Sequence, residues 1–217
     1  SAASDVYKRQ SHASSSKTSS KSSPIIIRGN SWVNIAVGLN WYLKHHAGIH
    51  IAWNNMMVKL PAVLPAVKQK ERHETDLKLR YDFNYCTFSY SMAFWDWNRW
   101  QKEIDWMALH GINMPLAIVG EECVWRNMLL KLGYTEEEVG KFIAGPAFLA
   151  WWEMNNLEGW GGPLPQNWYK QQEALQKKIL ARMKELGMKP VLPGYCGMMP
   201  HLSLIHISEP TRPEPIS

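Results

Sequence analysis

Residues 97–119 read WNRWQKEIDWMALHGINMPLAIV, and this stretch decides the fold class. Apolar side chains recur in its first half at helical spacing, which predicts an amphipathic helix that Gly111 ends. That stripe consists of Trp97, Trp100, Ile104, Met107 and Ala108. The following segment Ile112–Val119 is almost wholly apolar, as is typical of a strand buried on both faces of a parallel sheet.

The same alternation of strand and helix extends to both sides of this stretch. The predicted elements are a short strand at Tyr85–Phe88, a helix from about Glu122 to Leu132, a helix from Asn167 to Leu186, and a strand at Val191-Leu192. Strand, helix, strand, helix, strand is the opening of a (β/α) barrel. The fold class is therefore α/β, and we interpret residues 81–201 as the first three or so βα units of an incomplete (β/α)8 TIM barrel.

Residues 24–80 have the pattern of a small α/β N-terminal domain. The predicted elements are a strand at Ile25–Ile27, a helix capped by Ser31 and stopped at Gly48, a half-buried strand at Ile49–Trp53, a turn at Asn54-Asn55, and a strand ending before Pro61. Both ends of the chain differ from this body. Residues 1–23 are expected to be a tail, because the first ten look like translated adapter sequence and Ser11–Ser23 is Ser/Lys-rich and predicted disordered. We expect residues 202–217 to be a non-native tail that replaces the natural continuation of the protein.

Composition argues against several classes of function. The net charge is +5, but residues 1–23 supply much of the excess and the remaining bases alternate with acids, so no nucleic-acid partner is expected. There is no apolar run of about eighteen residues that would span a membrane. The 3 cysteines lack CxxC spacing, the 8 histidines lack HxH or HExxH spacing, and nucleotide-binding glycine motifs are absent. We therefore expect no metal and no cofactor. Flat aromatic rings stack on sugars, and the 12 tryptophans favour a carbohydrate site.

In a barrel, chemistry gathers where strands end, and this rule selects three segments. They are Asn84–Thr87, Gly120–Glu122 and Gly194–Gly197. Adjacent side chains at a strand end point to different sides. One carboxylate of Glu121 and Glu122 is therefore expected in the first helical turn, while the other could bond sugar hydroxyls; neither is expected to be a nucleophile.

The other candidate residues each have two interpretations. The Asn84 amide can bond a sugar or its own backbone, and Tyr90 can belong to the core or to a site wall. Cys86 is more typical of inert packing than of chemistry. In the connection after the second helix, Trp151, Trp152 and Trp160 are candidates for sugar stacking, whereas Trp97, Trp100 and Trp106 are expected in the core.

Several long strings resemble glycoside hydrolase family 89, the α-N-acetylglucosaminidases. They are YDFNYCTFSYSMAFWDWNRWQKEIDWMALHGINMPLAIVGEECVWRNMLL, GPAFLAWWEMNNLEGWGGPLPQNW, LGMKPVLPGYCGMMPH and RGNSWVNIAVGLNWYLKHHAGIHIAWN. The resemblance covers residues of about 24–201. It implies a small α/β domain before a catalytic barrel, and metal-free hydrolysis of terminal α-linked N-acetylglucosamine with retention of configuration. The partner it implies is a glycan, and the location it implies for the parent protein is lysosomal, periplasmic or secreted.

The resemblance also implies which residues meet the sugar. Asn84, Cys86 and Trp151 match pocket positions, and Glu122 matches a strand-end glutamate of the pocket. The family has Gln-Glu where this chain has Glu121-Glu122, so the role of Glu121 stays open. Both catalytic glutamates of the family lie on later strands, and we expect this chain to contain neither and to be inactive as a fragment. The alternative is a non-catalytic carbohydrate-binding protein.

Overall fold

The computed structural model describes residues 2–8, 24–194 and 197–200. In chain order, the elements are β1 (Ala2–Lys8), β2 (Ile25–Gly29), α1 (Trp32–His45), β3 (Glu71–Thr75), β4 (Tyr81–Asp82), α2 (Tyr85–Tyr90), α3 (Trp97–Leu109), β5 (Met114–Pro115), α4 (Glu121–Lys131), α5 (Glu136–Phe142), α6 (Leu149–Glu153) and α7 (Gln166–Glu185). The chain forms two compact units. The first comprises 2–8, 24–84, Trp95–Ala117 and Ala174–Val191, and the second comprises Tyr85–Phe94, Ile118–Glu173 and the described residues from Leu192.

An antiparallel three-stranded sheet opens the first unit, in the order β2-β1-β3. Val6 of the central strand pairs with Ile27 on one side and Glu71 on the other. The expectation that the first ten residues stay outside the fold is therefore wrong for residues 2–8, which supply the strand that joins β2 to β3. The disorder expected for Ser11–Ser23 and the non-native tail expected at 202–217 fall outside the described residues.

Helix α1 confirms the prediction made from its cap. The Ser31 hydroxyl accepts a hydrogen bond from the Asn34 backbone N–H at 3.1 Å and satisfies one free donor of the first turn. Tyr42 and Leu43 of α1 are buried with Ile51 and Val67 in the core of this layer. The buried face differs from the stripe of apolar residues at helical spacing, because Trp32 and Leu39 are 64% and 41% exposed.

The half-buried strand predicted at Ile49–Trp53 is wrong. The Ile49 backbone N–H donates to the Leu43 carbonyl at 2.8 Å, so it completes the end of α1 rather than a sheet ladder. Only an isolated bridge between Ala52 and Asn55 forms, around the predicted turn. No strand forms before Pro61 either, and the third strand of the sheet is instead β3.

Three short segments of the first unit run parallel, although the first of them, β4, lies before the strand that we predicted at Tyr85–Phe88. β4 pairs with β5, and Leu116 bridges Val191. The Val191 N–H donates to the Pro115 carbonyl at 2.8 Å, and the Ala117 N–H donates to the Val191 carbonyl at 2.9 Å. The eight-residue strand expected at Ile112–Val119 shrinks to β5 and this bridge. Pro115 has no N–H for a sheet ladder, which limits the regular pairing.

Helix α3 follows the predicted stripe, with Trp100, Ile104 and Met107 buried. Asp96 caps it and accepts from the Arg99 backbone N–H at 2.9 Å. Asp105 of α3 pairs with Arg182 of α7 at 2.7 Å, although the two residues are 77 positions apart in the chain.

The second unit is helical among its described residues and packs around Trp125, Phe142, Ile143 and Trp152. Helices α4 and α7 start and end within about one residue of their predicted limits. The strand predicted at Tyr85–Phe88 is wrong: these residues form α2, which buries Phe88 and Ser89 and packs against α6. Helices α5 and α6 lie in the connection after the second predicted helix, for which we predicted no helix.

Candidate functional site

The structure divides the four predicted site residues between the two units. Asn84 is the last residue of this segment of the first unit and is exposed just before α2. The other three lie in the second unit: Cys86 is half-buried in α2, Trp151 is half-buried in α6, and Glu122 is buried in α4. Two of these three helices are in direct contact.

Helices α2 and α6 form an aromatic corner. Tyr90 is 71% exposed, and its ring meets Trp151 edge to face, with centroids 6.0 Å apart and planes at 87°. The Ser89 hydroxyl on the same helix accepts from the Ala150 backbone N–H at 2.9 Å. Cys86 lies on α2 one turn before these contacts. Of the two interpretations of Tyr90, its exposure excludes the core, and a place in a site wall stays a prediction.

The other candidate aromatics of this region have different surroundings. Trp152 is 0% exposed and packs edge-on against Trp125 and Phe142, so its prediction as a stacking residue is wrong. On a helix, neighbouring side chains point about 100° apart, so Trp151 and Trp152 face different surroundings. Trp160 is exposed and lies against Phe148, 6.1 Å from centroid to centroid.

Helix α4 begins at Gly120, whose φ of +78° lets the chain turn sharply from Ile118 into the helix. Both Glu121 and Glu122 lie in the first turn, where we expected only one of them. Glu122 is 2% exposed and accepts from the Trp168 indole N–H at 2.8 Å. Burial raises the pKa of Glu122, although the bonds from Trp168 and from backbone N–H groups oppose that rise.

Glu121 is the more accessible carboxyl of this turn. It lines a cavity of about 140 Å³ together with Pro193 and Gly194, so the predicted segments after the second and third strands meet here. Burial, and next the charge of Glu122, raise the pKa of Glu121 to about 7. Its Oε2 is buried without a hydrogen-bond partner among the described residues.

Glu153 of α6 joins this acidic pair, and sequence reasoning missed it. Burial, followed by the charges of Glu121 and Glu122, raises its pKa well above the usual range. No spacing signal links residue 153 to residue 121, since they approach only through the packing of α4 and α6. Within the described part of the chain, no group of three or more His, Cys, Asp or Glu side chains could hold a metal ion.

The cysteines have no catalytic surroundings where they are described. Burial raises the pKa of Cys123 to about 12, and its Sγ donates to the Tyr169 carbonyl at 3.1 Å. A buried thiol that stays protonated is a weak nucleophile. Cys86 is a free thiol, and Cys196 falls outside the described residues. Across the described residues, no helix combines the length and apolar character needed to cross a membrane.

Two domain models of one known family match this chain. The α-N-acetylglucosaminidase (NAGLU) tim-barrel domain matches residues 80–209, and the N-terminal domain of the same family matches residues 4–66. The chain belongs to the α-N-acetylglucosaminidase family. Its barrel-domain match contains all four predicted site residues as well as Glu121 and Glu153.

Individual members of the α-N-acetylglucosaminidase family are much longer than this chain. Human α-N-acetylglucosaminidase is 47% identical over 174 residues, which are 80% of this chain and 23% of the human protein. A family 89 glycoside hydrolase from Clostridium perfringens, solved with PUGNAc, is 37% identical with a TM-score of 0.83, over 94% of this chain and 22% of that one.

A variant of the Clostridium perfringens enzyme was solved with its substrate GlcNAc-α-1,4-galactose. It is 38% identical to this chain with a TM-score of 0.81, over 91% of this chain and 21% of that one. The present chain therefore spans about a quarter or less of the α-N-acetylglucosaminidases that it matches.

Proposed function

We propose that this chain is one part of a retaining exo-α-N-acetylglucosaminidase and supplies one wall of the pocket for a terminal α-linked N-acetylglucosamine. The observation that carries the proposal is the family match over residues 80–209, which includes the Tyr90–Trp151 corner and the carboxyl group cluster. In the architecture we propose, the parallel segments are the first βα units of a (β/α)8 barrel that follows a small α/β domain. The parent protein would act on glycans in a lysosome, the periplasm or the cell exterior.

The proposed wall has an apolar part and a polar part. Trp151 offers a half-buried aromatic face beside α2, which suits the C–H face of a pyranose ring. Cys86 lies on α2, the helix that packs against α6. Asn84 carries amide donor and acceptor groups that suit a hydroxyl or acetamido group.

We assign Glu122 an indirect part in this pocket. Its carboxylate is fully buried and bonded to Trp168, so in the proposed wall it orients that indole, while Glu121 faces the cavity. Catalysis in glycosidases of this kind needs an acid/base and a nucleophile on opposite sides of the bond, about 5–5.5 Å apart. Glu121 and Glu122 are neighbours on one turn of one helix, which does not give that opposed geometry. The two catalytic carboxylates are proposed to belong to later barrel strands of the parent protein.

A chimaera tests this proposal. Residues 24–200 would replace the matching segment of the human α-N-acetylglucosaminidase, and chromophore release from an aryl α-N-acetylglucosaminide would be measured. We expect turnover by the chimaera and none by the 217-residue chain alone. A chimaera that folds but does not turn over, or clear turnover by the chain alone, contradicts the proposal.

Substitution of Trp151 locates the wall within that chimaera. Trp151→Ala should raise KM by roughly tenfold or more with a smaller change in kcat, because stacking holds substrate and transition state alike. Trp160→Ala is the matched control, since Trp160 is exposed but lies against Phe148 and not on α2. An equal rise of KM in both variants would remove Trp151 from the proposed pocket.

A further inference from the structure

Helix α6 has no cap of its own. It is only five residues long, and Phe148 at its N-cap position has no side-chain oxygen for the free N–H groups of the first turn. Helices normally begin at Ser, Thr, Asp or Asn, which supply that oxygen. The helix that carries Trp151 therefore depends on another element to satisfy its first turn.

Ser89 supplies the missing oxygen from α2. Its hydroxyl is in reach of the Ala150 backbone N–H at 2.9 Å, and Ser89 itself is 7% exposed, so water does not readily replace the bond. Ala150 is the second residue of α6 and directly precedes Trp151. The bond joins residues 61 positions apart in the chain.

Helix α2 also places two other residues, Tyr90 and Cys86, close to Ser89 in the chain. Tyr90 follows Ser89 and meets the Trp151 ring edge to face, and Cys86 precedes Ser89 by three residues. One hydrogen bond therefore fixes the distance between the backbone that carries Cys86 and the backbone that carries Trp151. An indole held both through its backbone and by a perpendicular ring contact has few rotations left, which is how a binding face is preorganised.

We propose that Ser89 is a positioning residue: it caps α6 from α2 and so sets the orientation of Trp151 toward the sugar. This role rests on the proposed function only in its last step, because the cap itself concerns the fold of the second unit. Ser89 does not touch the substrate in this proposal, and it acts through Ala150 and Trp151.

The first experiment uses the full 217-residue chain with 5-fluorotryptophan incorporated. Ser89→Ala should speed the hydrogen exchange of the Ala150 amide by roughly tenfold, because the hydrogen bond that protects this amide is lost. It should also shift or broaden the fluorine resonance of Trp151, which is assigned by its absence in Trp151→Phe. Ser89→Thr keeps a hydroxyl and should restore both signals toward those of the unaltered chain.

Thr135→Ala is the matched control. Thr135 caps α5 in the same unit, with its hydroxyl accepting from the Glu138 N–H at 3.2 Å, and its side-chain bonds are to Glu138 of the same helix. It should lower thermal stability as Ser89→Ala does, while Ala150 exchange and the Trp151 resonance stay unchanged. The proposed cap would be contradicted if Ser89→Ala left the Ala150 exchange rate and the Trp151 resonance unchanged. It would also be contradicted if Thr135→Ala changed both signals equally.

The second experiment asks whether the cap serves the sugar, and it uses the active chimaera. Ser89→Ala should raise KM by roughly fivefold with kcat nearly unchanged, and Ser89→Thr should recover most of the loss. An unchanged KM together with a displaced Trp151 resonance overturns the positioning role. An inactive chimaera contradicts the proposed function instead, and leaves the cap to be judged by Ala150 exchange alone.

Discussion

Glu103 in the first unit and Glu122 in the second are equally buried, at 2% exposure each, but their surroundings differ in charge. Glu103 pairs with Arg99 at 2.8 Å and also accepts from the Trp53 indole N–H through both oxygens. Glu122 has the Trp168 indole and forms no ion pair within the described part of the chain. Its charge raises the pKa of two other carboxyl groups, Glu121 and Glu153, while Arg126 on the next turn of α4 pairs with Glu136.

This difference means that the buried charge of Glu103 stabilises the fold, whereas that of Glu122 destabilises it. An ion in the interior is tolerable when a counter-ion and hydrogen bonds replace its water, as they do for Glu103. Where carboxyl groups gather without a cation, their pKa values rise and the fold loses stability, and such places concentrate at functional sites. The two carboxylates are equally buried but differ in role. Glu103 with Arg99 and Trp53 forms a structural cluster in the first unit, here called the Glu103 clasp, whereas Glu122 belongs to the candidate site in the second unit.

The largest effect expected from this comparison is on the Glu103 clasp. Arg99→Met leaves a buried carboxylate without its cation and removes the guanidinium that lies 3.9 Å from the Trp95 ring centroid. We expect a loss of about 3 kcal/mol in the free energy of unfolding, measured by urea titration. Arg182→Met is the control, because its partner Asp105 is 34% exposed and stays solvated; the loss there should be below about 1 kcal/mol. Equal losses would mean that burial does not govern the strength of these pairs.

Neutralising the two buried carboxylates should change the free energy of unfolding in different directions. Glu103→Gln removes the attraction to Arg99 and should cost about 1–2 kcal/mol at pH 8. Glu122→Gln keeps an oxygen for Trp168 but removes a charge that burial disfavours, so stability should stay equal or rise by about 1 kcal/mol. Both isosteric changes preserve shape, and each therefore serves as the control of the other. If both variants lose stability at pH 8, Glu122 is a clasp of the same kind as Glu103.

The sequence predicted the helices of this comparison better than its contacts. Helix α3, which carries Glu103, was predicted from the apolar stripe and Gly111, and α4, which carries Glu122, from the change of pattern after Val119. These signals are local and periodic. The pairing of Glu103 with Trp53 and of Glu122 with Trp168 joins residues 50 and 46 positions apart, and no local pattern encodes such distances.

The failures have the same origin. Ile49–Trp53 alternates like a strand. However, the Ile49 N–H donates to a carbonyl at the end of α1, and the Trp53 indole N–H donates to Glu103. Tyr85–Phe88 is rich in aromatic residues that favour strands, but tertiary packing of Phe88 and Ser89 overrides that preference. The pocket positions Asn84, Cys86, Glu122 and Trp151 came from family resemblance and remain predictions, whereas Ser89 and Glu153 become visible only when α2, α4 and α6 are packed.

The smallest effect expected from the comparison is a slope of stability with pH in the second unit. Glu121 has a folded-state pKa of about 7, above its usual value near 4.5, so between these values the folded chain binds more protons than the unfolded chain. Stability contributed by its protonated form is therefore complete below about pH 4.5, declines as pH rises toward 7, and levels off above that.

Because Glu121 is only partly buried and shares its site with two other acids, we expect Glu121→Gln to remove a decline on the order of 1 kcal/mol between pH 5 and 8, seen in urea midpoints. Glu136→Gln is the control, since Glu136 is exposed beside Arg126 and lies outside the acidic cluster, and its profile should follow that of the unaltered chain. A decline that persists in Glu121→Gln would assign the titration to Glu122 or Glu153. A decline absent from the unaltered chain would mean that these carboxyl groups are better solvated than their burial implies, and the contrast with Glu103 would then rest on Arg99 alone.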